Sequence, residues 1–369
     1  MRAPITVVFP QSEHGNPYLG LLTEALREEG VQVDYLRRRR MPFVSNFSRN
    51  RRPEIIHLQW QHGYFLGRNL ADAVLRTAAF FAQILTLKTL GVSFVWTVHN
   101  LLNHEKRLAR WELGACRLLA RIVDRLVVHC PAAMDEVVRT YGVSREKVVV
   151  IPHGHYVDLY GMPEDRTLSR ASLTLPAEET VYLFFGQIRE YKGVDGLLET
   201  FVRAEIPGAR LIIAGEPKPE SLGRRIADAA AANPQIDVLP ERLDDDTLKR
   251  FISACDVVVL PYVDSLTSGA SILAASLARP IIAPRIGCLA DLPESSAIFY
   301  DVARLTGLQE ALRRAMQSPL DQMGSEARDF IMQFPFSRVA RELTGVYSEI
   351  LGTRNDDQAS IRPEPRRSH

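Results

Sequence analysis

Twice along this chain, short apolar runs alternate with helical patterns at a steady interval, and that rhythm leaves few folds open. Apolar runs fall at Ile5–Phe9, Val31–Leu36, Glu54–Trp60, Ser93–His99, Leu126–His129 and Val148–Ile151. Between them, apolar residues recur at helical spacing over Tyr18–Glu29 (closed by Gly30), Asp72–Leu90, Lys106–Val123 and Ala132–Tyr141. The rhythm restarts with apolar runs at Val181–Phe185, Leu211–Ala214, Ile236–Leu239, Val257–Leu260, Ile281–Ala283 and Ile298–Tyr300. Helical patterns separate these too, at Val194–Ala204, Ser221–Ala232, Asp245–Ala254 and Ala270–Leu277. Regular strand–helix alternation is the pattern of parallel sheets covered on both faces. The expected fold class is α/β, with two doubly wound, Rossmann-like parallel-sheet domains.

Pro152-His153-Gly154-His155 breaks the first series, and Met162–Arg170 is polar and irregular. The domain boundary is expected there, giving an N-terminal domain over 1–160 and a C-terminal domain over 170–333. Helical patterns at Gly307–Gln317, Glu326–Phe334 and Phe336–Leu351 follow. Residues 354–369 are polar and rich in Pro and Arg, and are expected to form a disordered tail. A chain of 369 residues has room for two such domains with filled cores.

Composition removes several function classes. The net charge of +1 supplies no global field for nucleic acid. Cys116, Cys130, Cys255 and Cys288 are widely spaced, with no CxxC and no His at ligand spacing. They read as reduced core thiols of a cytosolic protein. Ile5–Phe9 reads as a strand and not as a signal peptide, and no run reaches the length of an obvious membrane span.

Two strand–turn–helix passages carry the chemistry. The first is Leu183-Phe184-Phe185-Gly186-Gln187-Ile188-Arg189-Glu190-Tyr191-Lys192-Gly193. A buried strand ends at Gly186, two cations follow in a short loop, and a helix starts at Val194. Free amides and the positive end of a helix dipole favour an anion at such a place. Arg189 adds a fork of donors and Lys192 a mobile point charge. A plain connection with two solvated cations has the same local pattern. The second passage is Leu260-Pro261-Tyr262-Val263-Asp264-Ser265-Leu266-Thr267-Ser268-Gly269-Ala270-Ser271. Thr267 and Ser268 suit a helix N-cap, and Gly269 permits close approach of a ligand to the backbone. Two anion-friendly helix starts in one sheet suit a diphosphate.

In the first half, His99 ends a strand and points toward the ligand crevice of a doubly wound sheet, unless it is a capping or core histidine. Arg37–Arg40, with Arg49, Arg51 and Arg52, form either a solvated loop or a patch for anionic lipid headgroups or a phosphorylated acceptor. Asp72–Leu90 is apolar on most sides. It reads either as a helix packed against the sheet or as one facing a membrane.

Pro152-His153-Gly154, Phe185–Gly193, Ile212-Ile213-Ala214-Gly215, Ala254–Pro261 and Arg279-Pro280-Ile281-Ile282-Ala283 stand in a specific order. That ordered series, over roughly residues 1 to 350, resembles glycosyltransferase family 4, and within it the bacterial polysaccharide and glycolipid transferases. The resemblance implies the GT-B fold, with the two domains facing a cleft and the final helix 336–351 returning to complete the first domain. It implies a retaining hexosyltransferase that uses a nucleotide sugar (UDP- or GDP-linked), needs no metal or other cofactor, and takes a saccharide, glycolipid or small-molecule acceptor. Catalysis would fall to His99, Arg189 and Lys192. The donor would meet Gly186, Arg189, Lys192, Gly215, Asp264, Thr267, Ser268 and Gly269. Gly15, His57 and Asn100 are expected on the acceptor side. The expected location is cytoplasmic, with peripheral contact to an anionic membrane and no nucleic-acid partner.

Two departures stand out. The family's pair of glutamates, eight residues apart, is replaced by Ser265 and Leu273, with Asp264 adjacent to the first position. The usual Arg after the loop glycine is Gln187, with Arg189 two places on. A nucleotide-sugar epimerase of the same fold, or a non-catalytic nucleotide-sugar-binding protein, are the alternative readings.

Overall fold

A computed structural model describes residues 4–10, 17–36, 52–103, 105 and 107–360, with backbone alone from 354 to 360. Gly15, Arg37–Arg40, Arg49 and Arg51 lie outside the described residues. The chain forms two compact units, Met1–His153 with Pro335–His369, and Gly154–Phe334.

The first unit carries strands β1 (Thr6–Phe9), β2 (Gln32–Tyr35), β3 (Ile55–Leu58), β4 (Ser93–Thr97), β5 (Arg125–Val128) and β6 (Val148–Val150). All pairs are parallel, in the order β2-β1-β3-β4-β5-β6. Helices cover the sheet, so β3 and β4 are buried along their whole length. The C-terminal helix, Phe336–Ser360, lays Phe336, Val339, Ala340, Leu343, Val346, Tyr347 and Ile350 into one core with Leu19, Leu22 and Leu26. Their spacing of three and four residues is the buried stripe of an amphipathic helix. The helix does not stop at Leu351, as the polar tail suggests, but continues to Ser360. Once packing has anchored the first turns, extension adds one hydrogen bond per residue without a new nucleation cost.

The helix expected at Asp72–Leu90 runs from Leu70 to Thr89, and the Asn69 side chain caps it by accepting from the Asp72 amide at 2.9 Å. It buries Ala73, Phe80, Phe81, Gln83, Ile84 and Leu87, and exposes the opposite side.

The second unit carries β7 (Thr180–Phe185), β8 (Ala209–Ala214), β9 (Ile236–Leu239), β10 (Val257–Val259), β11 (Ile281–Pro284) and β12 (Ala297–Tyr300). They pair in parallel in the order β12-β11-β10-β7-β8-β9. This unit begins at Gly154, because the Tyr156 amide donates to Ser276 Oγ (3.0 Å) and the Tyr160 hydroxyl to Asp245 Oδ1 (2.8 Å). The stretch Met162–Arg170, irregular by sequence, contains part of a helix, Arg166–Ser172. Asp165 caps it, and Arg170 reaches Asp256 at 2.5 Å and the Ala254 carbonyl at 3.0 Å. Tertiary contacts override weak local propensity there. Cys116 and Cys255 are free and buried, and burial pushes the Cys255 thiol up to about 12.

His57 and Tyr347 tie the C-terminal helix to the sheet. Nδ1 of His57 lies 2.6 Å from the Tyr347 hydroxyl and Nε2 lies 2.7 Å from Thr97 Oγ1, all fully buried. Replacing Tyr347 by Phe leaves one imidazole nitrogen buried without a partner, at a cost of roughly 1–3 kcal/mol. Urea unfolding of Tyr347→Phe should show that loss, and an unchanged midpoint would mean the hydroxyl contributes nothing.

Candidate functional site

In a doubly wound sheet the crevice opens at the carboxyl ends of the strands, where the strand order reverses. In the second unit the order runs outward from β7 to β9 on one side and from β10 to β12 on the other. The loops leaving β7 and β10 therefore diverge at the switch point. These are the two passages that the sequence marks as anion-binding.

The two loops are held against each other by backbone. The Val263 amide donates to the Tyr191 carbonyl at 2.9 Å. Gly193 has φ +68° and sits so close to Pro261 that a Cβ would lie 2.0 Å from its carbonyl oxygen. Only glycine fits both the left-handed conformation and that contact. Gly215 presses on the other side, where a Cβ would lie 1.9 Å from the Gly186 carbonyl oxygen. Its expected role in donor binding is thus joined by a structural one: it lets the loop after β8 close on the loop after β7. The Ile188 amide donates to Glu216 and the Lys218 amide to Ile188, completing the clasp.

The cations sit on this frame. Lys192 Nζ lies 3.8 Å from the centre of the Tyr262 ring and 5.5 Å from that of Tyr191. A cation over an aromatic face is attracted by the ring quadrupole. Tyr262 is buried, and its hydroxyl has no hydrogen-bond partner among the described residues, so its ring face is the part that acts. Arg189 Nε donates to Gln187 Oε1 at 2.8 Å, which orients the guanidinium. The helix Val194–Ala204 starts at Gly193 without a side-chain cap. On the β10 side, the helix Gly269–Ser276 is capped by Ser268, whose Oγ accepts from the Ser271 amide at 3.2 Å. Thr267 does not cap; its hydroxyl lies 3.8 Å from the Cys288 sulfur. Gly186, Asp264 and Gly269 are exposed at these loops. Leu273 is buried in the core, and the Ser265 hydroxyl bonds the Thr267 carbonyl at 3.3 Å. Neither position offers a carboxylate.

In the first unit the strand order reverses between β1 and β3. Gln59 and Trp60 follow β3, His99 and Asn100 follow β4, His129 follows β5 and His153 follows β6. His99 stacks on Trp60 with ring centres 4.4 Å apart and bonds Gln59 Oε1 through Nε2 at 2.7 Å. His129 lies 5.1 Å from His99 and 5.2 Å from His153, and Tyr18 packs edge-on against His99 and His129. His129 Nδ1 is 3.0 Å from the Ile151 carbonyl, which assigns the proton to Nδ1. Nε2 is then a buried acceptor, without a partner among the described residues. His62 Nδ1 lies 2.7 Å from Glu112 Oε1, without hydrogen-bond alignment. His57 belongs to the core: it is wholly buried, with both nitrogens engaged, and no part of it is offered to an acceptor.

Sequence reasoning singled out His99 but passed over Tyr262, His129 and His153. A signal was present for the histidines. Val98-His99, Val128-His129 and Pro152-His153 each place His just past the end of an apolar run.

Two family models match the chain: Glycosyltransferase Family 4 over residues 16–159 and Glycosyl transferases group 1 over residues 179–318. The chain belongs to these glycosyltransferases. It is 29% identical over 363 residues to the GDP-mannose:glycolipid 4-beta-D-mannosyltransferase of Xanthomonas campestris, covering 95% of this chain and 94% of that one. A D-inositol 3-phosphate glycosyltransferase of Mycobacterium bovis is 29% identical over 171 residues, 45% of this chain and 35% of that one. Among solved structures, sucrose-phosphate synthase from Thermosynechococcus elongatus has the same fold, with TM-score 0.73 at 18% identity, covering 95% of this chain and 100% of that one. Anabaena HepE, solved in complex with UDP-glucose, follows with TM-score 0.71 at 14% identity, covering 93% and 99%. The fold is the GT-B type that the ordered motifs imply. The epimerase and non-catalytic readings gain nothing from these relatives.

The buried histidines set a pH response. Burial holds His57 at about 3, helped by His129, and holds His129 at about 4; His99 is lowered in the same direction, by burial and then by His129. An unfolded histidine titrates near 6.5, so below that pH the unfolded chain binds protons that the folded one refuses. Stability from these groups is therefore full above about pH 6.5 and falls as pH drops toward 4. At pH 5 the loss should be roughly 2 kcal/mol for each of His57 and His129. Denaturant unfolding at pH 7.5 and pH 5 should show it, and a first unit equally stable at both would refute neutral burial.

Proposed function

We propose that this glycosyltransferase moves a hexose, with mannose the first candidate, from a GDP- or UDP-linked donor to a glycolipid acceptor. The observation that carries the reading is the pair Arg189 and Lys192 at the switch point of the second unit, with Lys192 seated on Tyr262. The near full-length similarity to a GDP-mannose:glycolipid transferase supports mannose and a lipid-linked acceptor.

In this reading Arg189 and Lys192 carry the charge of the leaving diphosphate. The amides at Gly193–Val194 and Ser268–Gly269 add donors, and Gly186, Gly215, Asp264 and Thr267 line the same loops. Such fixed donors and charges act most on charge that develops in the transition state. Two cations serve where a metal ion would otherwise neutralise the phosphates, so the proposed reaction calls for no metal and no cofactor beyond the donor. His99 contacts the transferred sugar, and Asn100 stands on the acceptor side. A nucleotide sugar and a lipid-linked acceptor meet at the cytoplasmic face of a membrane, and that is the proposed location.

The family resemblance implies retention at the anomeric carbon, in which donor and acceptor are held on one face of the sugar. A second reading comes from the 4-beta linkage named for the Xanthomonas relative. GDP-mannose carries an α-linked sugar, so a β product requires inversion and a base for the acceptor hydroxyl. The one-bond C1–H1 coupling of the product separates the two, since the H1–H2 coupling is small in both mannosides: an α-mannoside supports retention and a β-mannoside supports inversion.

Lys192→Ala and Arg189→Ala should each lower kcat/KM by on the order of 10²-fold with little change in stability. Tyr262→Leu should give a smaller loss in the same parameter, and Tyr262→Phe, which keeps the ring face, should stay near wild type. Full transfer in both charge variants would move the diphosphate elsewhere. GDP-mannose at about 100 times its Kd should stabilise the fold by about 2.7 kcal/mol. A thermal-shift screen in which neither GDP- nor UDP-sugars act would sink the donor assignment.

A further inference from the structure

We propose that the exposed face of the helix Leu70–Thr89 lies flat on an anionic phospholipid bilayer. This deepens the reading of a lipid-linked acceptor and rests on it for its purpose, though its test does not.

The helix has two unlike sides. One packs on the protein through Ala73, Phe80, Phe81, Ile84 and Leu87, with the Phe80 ring 5.8 Å from Phe65 and 5.9 Å from Tyr64. The other is apolar and open. Leu75 is 70% exposed, Leu70 53%, Leu85 51% and Val74 41%, and Leu90 just past the end is 49% exposed. Ala71, Ala78 and Ala82 are exposed between them. Positions 71, 75, 78, 82 and 85 fall on one stripe of a 3.6-residue helix. The helix of 20 residues is about 30 Å long, and the stripe from 71 to 85 covers about 21 Å of it. Length and composition alone would let the helix cross a membrane, but its packed side ties it to the domain. An apolar face backed by protein suits a helix lying in the interface plane.

Charge names the surface. Arg107 reaches the Arg68 carbonyl at 2.9 Å, which places its guanidinium at the start of the helix. Arg52 reaches the Leu90 carbonyl at 2.9 Å, which places its guanidinium at the end. Arg68 is exposed beside the first turn, and Arg76 stands half-exposed within the helix. The acidic residue of the helix, Asp72, is already engaged by the Arg68 amide and by Arg76. Lys88 is likewise neutralised, by Asp124 at 2.9 Å. An open apolar stripe bracketed by arginines matches a hydrocarbon layer edged by anionic headgroups. A second copy fits less well. Two such stripes paired face to face would bring arginine ends onto arginine ends in either direction, and like charges repel.

The test is co-sedimentation of the full chain with vesicles of phosphatidylglycerol and phosphatidylethanolamine, against vesicles of phosphatidylcholine. The wild type should partition to the anionic vesicles at low salt, at least 10-fold more than to phosphatidylcholine, and should release in high salt. Leu75→Glu with Leu85→Glu, both at exposed positions, should lower the partition at least 10-fold. Arg52→Gln with Arg107→Gln should lower it and flatten its salt dependence. The inference is overturned if the wild type ignores anionic vesicles, or if the leucine variant binds as the wild type does. It is also overturned if size-exclusion chromatography without lipid shows a dimer that the leucine variant dissolves, since a second copy then covers the face. A thermal shift with GDP on the same variants reports folding and the donor reading separately. A protein that binds vesicles but no nucleotide keeps this inference and loses the proposed function.

Discussion

Gly193 brings the loop after β7 to within a side chain's width of Pro261, and the arrangement of charge in the second unit depends on that approach. A strand-order reversal spreads two loops apart at the edge of the sheet. Here backbone contact draws them together again above the sheet, through the Val263–Tyr191 hydrogen bond and the Gly193–Pro261 contact. Lys192 is thereby laid over the Tyr262 ring, which confines a side chain with four rotatable bonds. A cation already confined loses less freedom when it meets a phosphate. Gly215 does the same for the third loop by closing on Gly186. The frame is thus built from main chain, and the cations Arg189 and Lys192 are carried on it.

The first unit solves a different problem. Its strand ends gather His99, His129 and His153 with Tyr18 and Trp60 in a space nearly closed to water. Burial keeps His99 and His129 neutral, so each of their nitrogens is either a donor or an acceptor. The Ile151 carbonyl settles the matter for His129, by accepting a hydrogen bond from Nδ1–H and leaving Nε2 to accept. Neutral, oriented imidazoles suit recognition of sugar hydroxyls better than they suit phosphate. This separates the chemistry of the two units: charge in the second, neutral polar groups in the first.

The helix Leu70–Thr89 shows how an apolar segment can serve two surfaces. Its aromatic side fills the domain, and its Leu and Ala side is left to the outside. Burying both sides in protein would need another layer outside this helix. In the proposed docking, a lipid surface supplies that layer.

The alternation of strands and helices was legible from sequence, because period 2 and period 3.6 are local properties of side-chain placement. The twelve strands among the described residues fall where apolar runs place them, and the strand–turn–helix passages at Arg189–Lys192 and Ser268–Gly269 are visible as residue types. The helix at Arg166–Ser172 and the extension to Ser360 were not visible. Polar stretches become helical there because distant partners anchor them, Asp256 for the first and the core around Tyr347 for the second. Nor does local sequence say that Tyr262 carries Lys192, since that contact joins two strands seventy-odd residues apart through the strand order. His57 and His99 show the same limit. Both are histidines at buried parallel strands, yet packing sends one into the core between Tyr347 and Thr97 and the other to the strand-end cluster beside Trp60. Sequence determined the elements and the residue types at their ends. Only the tertiary structure decided which of those ends meet, because strand order and helix packing are set by contacts between residues far apart in the chain.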